Sequence, residues 1–136
     1  PIITQTAIGK RSEMQVYGDD YNTRDGSCVR DYIHVMDIAE AHTKAVNYLN
    51  KEENQSPFEI FNLGTGEGVT VFEAIQAFEK VSGEKLNYKV GKRRPGDVEA
   101  IYANNSRSEK ILNWKASRGI EEMMDSAWRW QKVLGK

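Results

Sequence analysis

A single cysteine, Cys28, and three prolines in 136 residues remove several kinds of chemistry at once. With one thiol there is no internal disulfide framework. There is also no Cys/His companion pattern for a thiol nucleophile or a zinc site. No run of residues approaches the ~18 apolar positions of a membrane span, and no signal-peptide pattern opens the chain. Neither sign of charge dominates, with 19 Lys+Arg against 20 Asp+Glu, so nothing points to nucleic acid or an anionic membrane surface as partner. Internal repeats, low-complexity segments and an evident linker are missing as well. What is present, 39% apolar and 29% charged residues, is the composition of an ordinary globular protein with length enough for one core. The expectation is one compact body in a reducing, cytoplasmic setting.

The chain opens with Pro1 in place of an initiator Met, and Ile2, Ile3, Ala7 and Ile8 follow at helical spacing. That start predicts a fragment beginning inside a secondary-structure element. The helix should stop near Gly9, where a left-handed residue is cheap only for glycine. Residues 15–17 read as a short strand ending at Gly18, residues 19–27 as a polar loop with the turn dipeptide Asp25-Gly26, and residues 29–35 as an extended segment. Asp37 with Glu40 has the form of a capping box that would start a helix with Ile38, Ala41, Ala45, Val46 and Leu49 inward, fading into the polar stretch 50–56. Residues 58–63 form a dense apolar strand pattern of the kind buried on both faces of a parallel sheet.

After Gly64-Thr65-Gly66-Glu67-Gly68, Thr70 with Glu73 predicts a second capping box and a helix with Val71, Ala74, Ile75, Phe78 and Val81 on one face, ended by Gly83. Residues 86–90 should be a strand, 92–97 a basic turn and 100–103 extended. Ser106 with Glu109 should cap a short helix. The last helix, from about Gly119, should turn Ile120, Met123, Met124, Ala127, Trp130 and Leu134 inward. The class is α/β.

The glycine cluster follows a predicted strand and precedes a helix, as a dinucleotide fingerprint would. It departs from that pattern, with Val69 where a third glycine should stand and no acid at the end of the next strand. A tight turn is the better reading, so no NAD site is expected here. His34 and His42 lack partners at metal-ligand spacing and read as hydrogen-bonding structural residues. Trp114, Trp128 and Trp130 read as core. Two segments carry more: residues 29–37 place Arg30 in an extended stretch before a helix, and residues 92–97 set further guanidinium groups beside a Pro-Gly turn and a carboxylate. Together they either hold a nucleoside diphosphate, with arginines on the pyrophosphate and Asp97 on ribose, or the second is simply a solvated turn.

The run VRDYIHVMD at 29–37, the NLG at 62–64, YGDDY at 17–21, RRPGD at 93–97 and LNWK at 112–115 resemble, in order, the C-terminal region of UDP-glucose 4-epimerases of the extended short-chain dehydrogenase/reductase family. The resemblance covers essentially the whole chain. It implies an α/β substrate-binding portion, residues 1–136, that is incomplete without an N-terminal Rossmann domain. About residues 36–66 would normally pack on that domain's sheet. The complete enzyme would bind NAD, use a tyrosine and lysine of a YxxxK motif that works beside the Rossmann domain, and interconvert UDP-glucose and UDP-galactose through a 4-keto intermediate. The chain alone would be inactive.

Carried over by position, Gln15 and Tyr17 match the strand that contacts uracil, Arg30 and Arg94 the diphosphate arginines, and Asp97 the ribose carboxylate. Ile101 stands where the family often has tyrosine or cysteine beside the sugar, which implies a pocket with room for N-acetylated sugars. No catalytic, cofactor-binding or metal-binding residue is expected. The partners implied are the UDP-sugar, the Rossmann domain and a second copy of the complete enzyme. The exposed strand edge and helix face imply self-association of the isolated piece or partial disorder near residues 36–66. A nucleotide-sugar dehydratase or decarboxylase, and a nucleotide- or RNA-binding module, are the rival readings.

Overall fold

The structure is a computed structural model and describes residues 1–51 and 56–135. In chain order the elements are α1 (Ile2–Ala7), β1 (Met14–Tyr17), β2 (Val29–Arg30), α2 (Val35–Asn50), β3 (Val69–Thr70), α3 (Val71–Ser82), β4 (Tyr88–Gly91), α4 (Ser106–Leu112) and α5 (Ile120–Leu134). The mixed α/β class agrees with the sequence. Two small ladders replace a single sheet: β1 pairs parallel with β4, Met14 facing Tyr88 and Tyr17 facing Gly91, while β2 pairs antiparallel with β3. Val29 also bridges Ala100 in parallel, the only ladder contact among the described residues within the predicted extended piece 100–103.

Among the described residues, two apolar clusters replace the single core expected. One gathers Val16, Ala74, Ile75, Phe78, Leu86, Met124 and Trp128 between α3, α5 and the β1/β4 ladder, with the Phe78 and Trp128 rings edge to face at 5.5 Å. The other joins Ala41, Tyr48, Leu112 and Trp114 between α2 and α4. α3 forms as its sequence predicts. Thr70 and Glu73 cap each other reciprocally, and Gly83 closes the helix at φ +73°, a conformation that would strain any other L residue.

Several local expectations are corrected. α2 starts at Val35, not at an Asp37 cap: His34 is its N-cap, its Nδ1 accepting from the Met36 N–H at 3.0 Å while Nε2 meets Ser126 Oγ at 2.9 Å. That leaves β2 only two residues long. Asp37 is instead fully buried in the first turn. Its carboxylate accepts from the backbone N–H groups of Ser117 and Arg118, from the Ser117 hydroxyl and from the Arg118 guanidinium. Burial alone would raise the Asp37 pKa, but these donors outweigh it and hold the carboxyl below its ordinary value. Along the same helix Ala41 and Tyr48 are buried, whereas Val46 and Leu49 are exposed.

The apolar run 58–63 is irregular rather than a strand, with Phe58 77% and Ile60 63% exposed. A strand exists only through its ladder partners, and no described segment pairs with this one. At α4 the N-cap is Asn105, without a side-chain bond, so the Ser106/Glu109 box does not form. On α5, which does begin after Gly119, Trp128 and Met124 face inward as against Trp130 and Leu134, which are 62% and 55% exposed. Of the three tryptophans, Trp130 is therefore not core. The predicted strand at 86–90 is shifted to Tyr88–Gly91, and the polar stretch 50–56 lies partly outside the described residues.

Candidate functional site

The β1/β4 ladder and the turn after it bring most of the predicted site residues together. Along β1, Val16 is buried at 1% exposure while Gln15 and Tyr17 lie exposed on the other face, as strand alternation requires. The Gln15 amide lies across Gly91, where a Cβ would overlap it, so a glycine there leaves the amide room. β4 leads into the turn 92–97, closed by the Asp97 N–H donating to Arg94 O at 3.1 Å. From this turn the Arg94 guanidinium lies 4.3 Å from the centre of the Tyr17 ring. Asp97 is ion-paired with Arg30, which also donates to Val29 O at 2.6 Å.

Arg30, far from Arg94 in sequence, thus reaches through its ion pair with Asp97 the turn to which Arg94 belongs. Arg30 and Asp97 are largely sheltered, at 25% and 20% side-chain exposure, so their pairing is less screened than an open surface bridge. Ile101 lies further along and is 58% exposed, its N–H donating to Val29 O at 3.2 Å. An open concavity of about 680 Å³ runs beside this ladder, lined by Gly18, Asp19, Asp20, Val90, Gly91, Lys92 and Arg93. None of the six predicted residues lines it. Arg93 there bonds Asp20 and stacks 4.1 Å from the Tyr21 ring centre, which engages it with the 19–27 loop.

That loop is tied to α3 by a network that no spacing rule reveals. Asp25 accepts from the Ser27 N–H and hydroxyl and from Thr70 Oγ1. Arg24 reaches Glu73 and Gly68 O. The Arg24 guanidinium, with the Thr70 bonds, pulls the Glu73 carboxyl from its usual value down to about 2 against the opposing effect of burial.

The glycine cluster can be tested for a dinucleotide. The donors at the start of α3 are already engaged: Val71 N–H by Cys28 O at 3.2 Å, Phe72 N–H by Ser27 Oγ at 3.2 Å, and Glu73 N–H by Thr70 Oγ1 at 3.1 Å. The Glu73 carboxylate also sits at this helix end, where a pyrophosphate would need positive potential. The residues present do not fit NAD. Asp31 fills the loop from behind, accepting from Thr65 N–H and Oγ1 and from Ala103 N–H. Among the described residues no group of three or more His, Cys, Asp or Glu is placed to hold a metal ion, and no helix is long and apolar enough to cross a membrane.

This combination of a short parallel ladder, an arginine-bearing turn and an RDY segment defines a class, and the chain belongs to the family described as GDP-mannose 4,6 dehydratase, whose model matches residues 1–127. The fold is that of part of an extended short-chain dehydrogenase/reductase. Within that class its similarity is to UDP-glucose 4-epimerases. A bifunctional UDP-glucose 4-epimerase and UDP-xylose 4-epimerase of Pisum sativum is 50% identical over 132 residues, which cover 97% of this chain and 37% of the relative. A UDP-glucose 4-epimerase from Stenotrophomonas, solved with NAD and formylated UDP-arabinopyranose, superposes with a TM-score of 0.91 at 42% identity, covering 97% of this chain and 38% of that one. The Bifidobacterium longum enzyme, solved with NAD+ and UDP, gives 0.87 at 44% identity, over 96% and 38%. The chain spans less than two fifths of the length of each.

Proposed function

We propose that this chain is the UDP-sugar-binding portion of a UDP-glucose 4-epimerase, anchoring the nucleotide while the hexose is left free to turn. The observation that supports the reading is that Arg30 reaches, through Asp97, the turn to which Arg94 belongs, with the Arg94 guanidinium over the Tyr17 ring. Two guanidinium groups there suit a diphosphate, and Asp97, once Arg30 turns to phosphate, is an acceptor for ribose hydroxyls. Gln15 and Tyr17 offer an exposed amide and ring to the base. Anchoring charge sits away from the sugar's reacting carbon, so binding energy is spent on position rather than on the group that must rotate.

NAD, the cofactor of the complete enzyme under this reading, is held outside these residues. The exposed apolar surface of α2 and of 56–63, with Val35, Met36, Val46, Leu49, Phe58 and Ile60 outward, suits packing against the sheet of an N-terminal Rossmann domain. Uncovered, it favours self-association. Under this reading the complete protein is a cytoplasmic homodimer.

The test is a calorimetric titration of UDP into the complete protein and its Arg30→Met and Arg94→Met forms. Loss of one charge-assisted hydrogen bond of ~1.5–3 kcal/mol is expected to weaken binding roughly 10- to 150-fold in each. Wild-type protein that ignores UDP, or two variants that bind it unchanged, would remove the proposal. The family description also favours a second reading, a nucleotide-sugar dehydratase. It is distinguished by its product, a 4-keto-6-deoxy sugar in place of an epimer. At Ile101, replacement by tyrosine is expected to depress turnover of UDP-N-acetyl sugars while sparing UDP-glucose. Equal turnover of both in that variant would contradict a sugar-facing role.

A further inference from the structure

Arg30 and Asp31 are neighbours that grip the same downstream segment at its two ends. Val29 hydrogen-bonds the middle of segment 97–103, its N–H donating to Glu99 O at 2.8 Å and its C=O accepting from Ile101 N–H at 3.2 Å. Arg30 holds the beginning through the Asp97 carboxylate, and Asp31 holds the end, its Oδ2 accepting from Ala103 N–H at 2.9 Å. The other oxygen of Asp31 accepts from Thr65 N–H at 2.9 Å and lies 2.7 Å from Thr65 Oγ1. A Cβ at Gly64 would overlap this carboxylate, so the loop's bare backbone fixes where the group sits.

We infer that Asp31 is a positioning residue for the sugar end of the site: it sets the place of Ile101 and so the discrimination between sugars. This rests on the epimerase reading above. The two charged ties differ in what a ligand does to them. A diphosphate competes with Asp97 for Arg30 and loosens the first tie, whereas Asp31 faces the Gly64-Thr65 loop and Ala103 and keeps its donors. With the first tie loosened, the Ala103 bond and the Glu99 carboxylate, which accepts from Asn22 N–H at 3.0 Å, are the charged constraints on the two sides of Ile101, and only the former comes from Asp31. Asp31 touches neither nucleotide nor sugar in this role.

The experiment uses the complete protein with NAD bound and compares UDP-glucose with UDP-N-acetylglucosamine. Asp31→Asn keeps the shape but offers one acceptor oxygen, so an NH2 must face either Ala103 N–H or Thr65 N–H, donor against donor. It is expected to change the ratio of kcat/KM for the two sugars by about tenfold, the scale on which a pocket wall discriminates groups of this size. Affinity for UDP alone should move by less than about threefold, because the charge-assisted anchors remain. Thr65→Val, which keeps the backbone donor and the Ala103 tie, should leave the sugar ratio unchanged.

A uniform loss on both sugars and on UDP in Asp31→Asn, or an equal ratio change in Thr65→Val, would overturn the inference in favour of a merely structural carboxylate. If Asp31→Asn does not fold, Gly64→Ala displaces the same carboxylate without removing its charge and must shift the ratio too. In the wild type, the Ala103 amide must stay protected from hydrogen exchange with and without UDP; rapid exchange refutes the tie. Failure of the wild type to bind UDP would instead reject the underlying reading.

Discussion

Replacing a tryptophan by phenylalanine at two places in this chain should have opposite consequences. Trp114 is 1% exposed, sits among Ala41, Tyr48 and Leu112, and its indole N–H donates to Asp37 O at 2.9 Å. In Trp114→Phe the vanished ring leaves a void of roughly 40 Å³, costing ~1 kcal/mol at about 24 cal/mol per Å³, with about as much again in lost transfer energy. The hydrogen bond adds ~1 kcal/mol. The total of ~3 kcal/mol corresponds to a fall in Tm of roughly 10 °C for a chain of this size. Trp130, at 62% exposure, loses little on the same change, within about 0.5 kcal/mol. Urea denaturation of both variants, with midpoints compared at constant slope, is the assay. Equal destabilisation of the two, or a cost below about 1 kcal/mol for Trp114→Phe, would refute the assignment of Trp114 as the closure between α2 and α4.

Three further outcomes are expected. The Glu73 carboxyl, held at about 2 in the folded chain, contributes stability that is present above its unfolded value of 4.5. That contribution is lost as pH falls from there through about 2, so Glu73→Gln should flatten the acid limb of a stability–pH profile and leave the neutral limb sloped as before. Gly83→Ala, at φ +73° with open space around it, should cost about 1 kcal/mol of backbone strain. Gly26→Ala, at φ +84° with Asp19 O in the way of a Cβ, should cost clearly more; equal melting shifts would count against the close approach. His34→Ala should lose ~1 kcal/mol with its N-cap bond, read as faster hydrogen exchange at Met36 N–H.

Where the chemistry is local, the sequence foretells much of the structure, although the equally local Ser106/Glu109 box does not form. The Thr70/Glu73 box, Gly83 and the start of α5 after Gly119 depend on neighbours within a turn, and each forms as expected. Positions that depend on remote partners were not legible. Residues 58–63 carry a strand's hydrophobicity, but strand formation needs a ladder that no described segment supplies. Asp37 looked like a cap because its spacing to Glu40 fits one, and nothing local foretells that Ser117 and Arg118 take its oxygens. Trp130 and Leu134 follow the periodicity of an inward face, yet α1 and α3 cover only the neighbouring stripe with Met124 and Trp128. At the candidate site, the residue types and order were readable. The pairing of Arg30 with Asp97, the Arg94–Tyr17 stacking and the role of Asp31 required coordinates.

The parallel ladder that seats Tyr17 against the turn of Arg94 joins opposite ends of the folding problem, since Met14 must find Tyr88 with α2 and α3 in between. Such a contact has no local precursor, and its pairing carries the closure entropy of the long loop between its strands. Under the UDP-sugar reading, a nucleotide bound there would not be retained by a half-assembled molecule. Its free energy therefore falls on the global unfolding equilibrium, about 2.7 kcal/mol at a hundredfold excess over Kd, and a ligand-induced melting shift reports the integrity of the whole chain.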